Sequence, residues 1–267
     1  AMEMIAAFRF KRAENRFQKT RAYLRDMEQI VGNLSASKPS LPNPLFDERK
    51  VASKALVFLS ADKGLCGSYN VNLMRVALRW LDENKAFRPI LVPVGKVAAV
   101  FFRKRGIETA AVYPDKTHAD FALAQKLTGF LKDGYLAGRL DQVEVLYTPY
   151  RSGSMGSPAL VPFLSLSHLA SAASKADAKA KQIDYICEPD FASVLSALLE
   201  RYLSGKMYLL LLESLTSELN ARRIAMSQAT DNGQEVLDRL TLLRNKTRQA
   251  AITNELSEIV SGAAGVI

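Results

Sequence analysis

One loop in the sequence combines residue types that could do chemistry: Ser60-Ala-Asp-Lys-Gly-Leu-Cys-Gly-Ser-Tyr-Asn70. It follows an apolar run and precedes an amphipathic one, where α/β folds place ligand loops. A phosphate cradle needs a Gly-Lys-Ser/Thr after its glycines, or glycines at GxGxxG spacing, so that backbone N–H groups converge on the anion. Gly64 and Gly67 satisfy neither pattern. An acyl-enzyme site would make Ser60 the nucleophile and Lys63 its base, yet the Ser-Asp-Asn and Lys-Thr-Gly elements that complete such sites do not occur. Cys66 as a nucleophile would require a histidine partner, and neither His118 nor His168 carries a matching signature. The plainer expectation is a tight turn made by the two glycines, with Leu65 and Cys66 packed beneath it and Asp62 and Lys63 as surface charges. No catalytic residue is therefore expected.

Metal and cofactor chemistry are not expected either. Cys66 and Cys187 fit neither a disulfide framework nor a zinc spacing, and the two histidines have no cysteine or carboxylate grouping around them. A reducing compartment is the simpler reading of that cysteine usage. The charge balance, 36 Lys+Arg against 27 Asp+Glu for a net +9, points to acidic partners. Arg9, Lys11, Arg12, Arg16, Lys19, Arg21 and Arg25 give the first segment a basic face that could follow nucleic acid phosphates. Glu3, Glu14 and Asp26 interrupt that face, so a solvated helix surface is expected and no nucleic acid partner. Near the other end, Arg248, Gln249 and Thr253 fall within one and a half turns and form a dense hydrogen-bonding surface. The most apolar run, Met207 to Leu212, is cut off by Lys206 and Glu213, far short of the roughly 20 residues of a membrane span. The opening lacks the long apolar core of a signal peptide.

The elements that must position these residues follow from hydrophobic period. Ala6, Phe10, Ala13, Phe17, Thr20, Leu24, Met27, Val31 and Leu34 alternate by four and three, a heptad seam on a helix that the prolines at 39, 42 and 44 bring to an end. Strands are expected at Ala55–Leu59, Pro89–Val94, Thr109–Tyr113 and Gln142–Thr148, alternating with helices at Val71–Leu81, Lys96–Arg105 and Ala119–Leu136. That alternation implies a parallel-dominated sheet with covered faces. From Phe191 onward a second seam runs through Leu212, Leu215, Leu219, Arg222, Met226, Ala229, Gly233, Val236, Leu240, Leu243, Thr247 and Ala250. A helix from Phe191 to Val260 spans roughly 105 Å and needs a partner, which the first segment is expected to supply.

These residues resemble a known family, the γ subunits of F-type ATP synthases. Ser217-Glu-Leu-Asn-Ala-Arg-Arg-Ile-Ala-Met-Ser-Gln-Ala-Thr-Asp-Asn232 and Asn245 to Ala264 are similar to its C-terminal helix. Ser60 to Asn70 resembles its Ser-Asp-Arg-Gly-Leu-Cys-Gly-Gly-x-Asn loop, with Lys63 for the usual Arg and Ser68-Tyr69 for the Gly-containing pair. Ala1 to Ala7 and Tyr185-Ile-Cys-Glu-Pro-Asp190 match two further segments, so the likeness covers essentially the whole chain. It implies an α/β fold: a long antiparallel coiled coil of N- and C-terminal helices with an inserted Rossmann-like α/β domain. The expected divisions are residues 1–36 and 189–267 for the coiled coil and 50–188 for the α/β domain, with a flexible Gly/Ser connection near 151–157.

The resemblance further implies a non-catalytic rotor shaft, one copy per complex. Its partners would be the α and β subunits, the ε subunit and the membrane c-subunit ring. Nucleotide sites would lie on β, with no cofactor on this chain. Met2, Arg222, Gln249 and Thr253 match positions that meet β; Tyr185 and Glu188 match positions near the c ring and ε. The location implied is the membrane periphery on the ATP-synthesising side, the bacterial cytoplasmic face or its matrix or stromal equivalent. This sequence opens inside the family's first helix, and it lacks the cysteine-containing insertion of the chloroplast form, so thiol switching is not expected.

Overall fold

A computed structural model of the chain describes residues 2–37, 45, 50–116, 119–164 and 187–264. Tyr185, His118 and His168 lie outside the described residues. The order of elements is α1 (Met2–Ser37), β1 (Lys54–Leu59), α2 (Tyr69–Glu83), a 3-10 turn at Lys85–Phe87, β2 (Ile90–Val94), α3 (Lys96–Lys104), α4 (Phe121–Leu136), β3 (Gln142–Tyr147), β4 (Ala159–Pro162) and α5 (Phe191–Ala264).

The heptad reading of α1 describes its buried face. Ala6, Ala13, Phe17, Leu24, Met27, Val31 and Leu34 are all buried, while Phe10 and Thr20 are half-buried. This face lies antiparallel on α5: Tyr202 Oη donates to Glu28 (3.2 Å), Arg16 donates to Tyr208 Oη (2.8 Å), and the Arg223 guanidinium sits over the Phe10 ring. At the crossing, Gly205 brings the α5 backbone so close that a Cβ there would stand 2.8 Å from Leu24 Cδ2. α5 starts where Asp190 accepts from the Ser193 N–H (2.9 Å), satisfying an orphan donor of the first turn. No proline occurs after Pro189, so nothing forces the helix to stop, and its 74 residues span about 110 Å.

The antiparallel pairing of α1 and α5 covers the inner part of the second seam. Leu212, Leu215 and Leu219 are buried and Arg222 and Met226 half-buried, but Ala229, Gly233, Val236, Leu240, Leu243, Thr247 and Ala250 are exposed. Residues 2–37 of α1 cover about 54 Å of the roughly 110 Å that α5 spans.

The sheet has the order β2-β1-β3-β4, with β1 parallel to both β2 and β3, and β4 antiparallel on β3 at the edge. Period-two alternation in β1 divides its side chains between two cores. Leu56 and Phe58 face α2 and α3, where Leu73, Ala77, Trp80 and Phe102 lie. Ala55, Val57 and Leu59 face α4 and the two long helices, among them Leu127, Leu131, Leu203 and Leu211. The two long helices are thus one layer of the α/β domain, and each fully buried Leu or Phe there contributes roughly 1.5–3 kcal/mol.

Two expectations fail at the sheet's margins. Thr109–Tyr113 is not a strand: it makes one bridge, Val94 to Tyr113. Its amides at 110 and 113 bond to the carbonyls of Leu91 and Pro93, three residues against two, and the extra residue breaks the ladder. β4 was not anticipated; it is a four-residue edge strand closed by proline. The Gly/Ser stretch before it is tied to α5 by Asn220, which donates to the Ser154 carbonyl (3.1 Å), and it passes the 60–70 loop, where a Cβ on Gly67 would stand 3.6 Å from Met155 Sδ.

Where β2 hands over to α3, Gly95 has φ +99°, and a Cβ would meet Ser60 O and Oγ at 2.6 Å. Both strain and collision with backbone oppose any side chain there. Gly95→Ala is expected to lower the unfolding free energy by roughly 3 kcal/mol, read as a lower urea midpoint at unchanged slope.

Candidate functional site

The 60–70 loop lies against the middle of α5, and the residues gathered there are held by hydrogen bonds that also rule out the nucleophile readings. Ser60 is fully buried; its hydroxyl shares its hydrogen between the carbonyls of Ala61 (3.2 Å) and Val94 (3.1 Å) and accepts from the Ala98 N–H (3.0 Å). Lys63 is exposed, so the pair has no nucleophile–base geometry. Cys66 is buried and accepts from Asn70 Nδ2 (3.3 Å), while Asn70 Oδ1 accepts from the Ala61 N–H (3.1 Å). Burial pushes the Cys66 thiol up, the reverse of an activated thiolate.

The turn differs in detail from the expected one. Positive φ falls on Leu65 (60°) and Gly67 (58°), and the left-handed backbone at Leu65 turns that side chain outward, leaving it 61% exposed. Of Leu65 and Cys66, it is Cys66 that packs beneath the loop. Asp62 is not a free surface charge: its Oδ1 accepts from the Lys96 N–H (3.0 Å), capping α3, and its Oδ2 from the Lys116 N–H (2.8 Å).

Ser214, Glu218 and Arg222 recur at four-residue spacing and so form one stripe of α5 facing this loop. Arg222 donates to the carbonyls of Lys63 (3.1 Å) and Gly64 (3.2 Å) and to Glu218 Oε1 (2.9 Å). Glu218 Oε2 stands 3.4 Å from the Lys116 ammonium, with side-chain exposures of 6% and 0%. Lys116 also donates to Ser214 Oγ (3.0 Å), and the Tyr69 hydroxyl, on the first residue of α2, lies 2.9 Å from the same oxygen. Burial holds the Lys116 amine below the usual lysine range, an effect the neighbouring Glu218 carboxylate offsets only in part; burial pushes the Tyr69 hydroxyl up. Beside this network a cleft of about 290 Å³ opens between α1, α5 and the loop, lined by Arg9, Arg12, Arg16, Lys63 and Arg222 against Asp62 and Glu218.

The other candidate residues are spread along the molecule. Met2, exposed, opens α1 where α5 continues alone. Gln249 and Thr253 are exposed on the bare part of α5, about 40 Å beyond Arg222, and the Thr253 hydroxyl donates back to the Gln249 carbonyl (2.9 Å). Glu188 is exposed just before α5. Sequence reasoning missed Lys116, Glu218, Ser214 and Tyr69; the four-residue spacing of the α5 stripe was a legible signal, and nothing local marked Lys116. Among the described residues no group of His, Cys, Asp and Glu could hold a metal ion, and no helix is long and apolar enough to cross a membrane.

The ATP synthase family profile matches residues 1–266. The ATP synthase gamma chain of Vesicomyosocius okutanii is 36% identical over 100% of this chain and 92% of its own length. That of Moorella thermoacetica is 38% identical over 98% and 91%. The chain belongs to the ATP synthase gamma chain family. Its fold is that of ATP synthase central stalks: the Tetrahymena thermophila mitochondrial central stalk superposes with a TM-score of 0.65 at 22% identity, covering 86% of this chain and 98% of that one. A chain of the Euglena gracilis mitochondrial ATP synthase superposes at 0.56 and 15%, covering 99% and 94%.

In this gamma-family chain, Glu218 neutralises a buried ammonium. Glu218→Ala is expected to lower the unfolding free energy by roughly 3 kcal/mol, because it strands Lys116 without its carboxylate. Asp82→Ala, which breaks an exposed pair with Lys85, should cost less than about 1 kcal/mol in the same urea titration.

Proposed function

We propose that this chain is the rotating, non-catalytic central shaft of an F-type ATP synthase. One copy turns inside a ring of α and β subunits and couples proton translocation through the membrane c ring to ATP synthesis or hydrolysis. The chain lies at the membrane periphery on the ATP-synthesising side. Its α/β domain stands toward the c ring and ε, with Glu188, just before α5, at that end. Met2, Arg222, Gln249 and Thr253 face β.

One observation carries this reading: the way the bare half of α5 distributes its apolar side chains. Val236, Leu240 and Leu243 are each more than half exposed, as are Leu256, Ile259 and Val260. At about 100° per residue the first three point to one side of the helix and the last three to roughly the opposite side. A single partner helix lying alongside would cover one group and leave the other in water. An enclosing sleeve covers both. An asymmetric rod inside such a sleeve presents different side chains to each surrounding site, and turning it shifts each site's conformational equilibrium in turn. The basic residues of α1 favour acidic levers on the surrounding subunits, through an attraction long-ranged enough to tolerate rotation.

ATP hydrolysis by isolated α and β subunits, with and without this chain, tests the proposal. The chain alone is expected to be inert and to raise turnover of the assembled ring, and Arg222→Ala/Gln249→Ala to lower that turnover by roughly 5- to 100-fold. A chain that neither binds the ring nor changes its rate refutes the shaft reading. A second expectation concerns charge: replacing Arg9, Lys11 and Arg12 by Glu should lower coupled turnover, and unchanged turnover removes the basic face from the mechanism.

A further inference from the structure

Contacts at the loop–shaft junction close into a ring. Asp62, in the loop, accepts from the Lys116 N–H; the Lys116 ammonium meets Glu218; Glu218 accepts from Arg222; and Arg222 donates to the carbonyls of Lys63 and Gly64, one and two residues after Asp62. Glu218 and Arg222 belong to the shaft. Lys116 belongs to the segment that leads from the sheet's outer edge toward α4, so the α/β domain supplies the only member of the ring that reaches Glu218 from outside α5.

The two oxygens of Glu218 are divided, Oε2 to Lys116 and Oε1 to Arg222. That division fixes the plane of the carboxylate, and an i, i+4 arginine follows the plane. Without Lys116 the carboxylate is free to turn both oxygens toward Arg222 in a bidentate pair, which draws the guanidinium away from the loop carbonyls. We propose that Lys116 is a positioning residue: acting through Glu218, it sets the Arg222 guanidinium over the carbonyls of Lys63 and Gly64, so that the α/β domain determines how the shaft presents Arg222. The relay is a property of the chain by itself; only the part of it that concerns Arg222 facing a partner rests on the shaft reading.

The consequence is a two-way linkage. Arg222 lines the open cleft, and a carboxylate entering there competes with Glu218 and the loop carbonyls for the same donors. When the guanidinium moves to that carboxylate the loop loses its clamp, and a loop held firmly holds the guanidinium back by the same free energy.

Amide hydrogen exchange on the full-length chain tests the relay without any partner. The reporters are the hydrogen-bonded amides of Ala61, Tyr69 and Asn72 in and beside the loop, with the β1 and β3 amides as the measure of global stability. Lys116→Met is expected to speed exchange of the loop amides at least tenfold more than that of β1 and β3, and Lys116→Arg to restore the parent rates to within about threefold. Lys116→Met/Arg222→Ala should exchange no faster at the loop than Arg222→Ala alone, since both cut one path. Uniform acceleration across loop and sheet, no acceleration, or additive effects in the double variant each overturn the proposal. Should Lys116→Met not fold, Glu218→Gln cuts the same path at its next link and must give the same loop-selective pattern. Failure of the shaft reading would appear only in the turnover of the α/β ring, so the two results are separable.

Discussion

Everything in this structure hangs on a helix that is buried for half its length and bare for the other half. The inner half of α5 is held by tertiary packing: α1 along one side, the sheet and α4 along others, with Gly205 permitting the close approach that seats Leu24. Its stability does not depend on helix propensity. The outer half has only its own backbone ladder and local side-chain pairs, such as Gln234 with Asp238 and Arg239 with Glu235, each worth a few tenths of a kcal/mol. A helix that extends roughly 50 Å past its last packing partner is a structural element waiting for surroundings.

That asymmetry explains why the charged groups divide into two kinds. Exposed pairs along α1, such as Lys11 with Glu14, contribute little and are screened by salt. Glu14 is nonetheless held below the usual carboxylate range by its hydrogen bonds from Lys11 and Tyr150. The pair at the junction is different in kind, because Lys116 and Glu218 have given up their water. A buried pair of this sort adds little net stability relative to apolar packing, but it is intolerant of any geometry except the one that keeps both partners satisfied. Its value is in register: it fixes where the α/β domain sits along a helix that otherwise offers many similar turns.

The long-range frame was legible because it is written as period. The α1 seam named the buried face, the three parallel strands stood out as apolar runs, and the absence of proline after Pro189 announced the length of α5. Features that depend on a partner in space were not legible. β4 is too short and too proline-bounded to carry its own signal, and it is a strand because β3 offers an edge. Thr109–Tyr113 has the composition of a strand and fails for want of matching spacing across from β2. Leu65 reads as a core residue until its backbone is seen to be left-handed. The second seam reads as a helix whose polar and small positions, Arg222, Gly233 and Thr247, suit it to turning inside something more than to gripping a partner, and only its inner part, through Leu219, is buried. Of the candidate site, Arg222 was found from resemblance, whereas the lysine that approaches its helix lies 106 residues earlier, and no sequence pattern joins Lys116 to Arg222.

The seam's own composition bears on what surrounds the bare half. A helix built to grip one partner keeps one apolar stripe along its length. Beyond Ser227 the positions that continue the seam are Ala229, Gly233, Val236, Leu240, Leu243, Thr247 and Ala250, and the small and polar members at each end deprive a zipper of its knobs. Large apolar residues also appear off the seam, at Leu237, Leu242, Ile252 and Ile259, all exposed. Smooth, low-relief positions interspersed with apolar ones on every side lower the barrier to sliding past a surrounding wall while still excluding water from it. The inner half, with its interlocked Gly205 and Leu24 and its buried ion pair, has the opposite character. A chain that must transmit torque needs one end that cannot slip and one end that can turn, and the division between them falls close to Arg222.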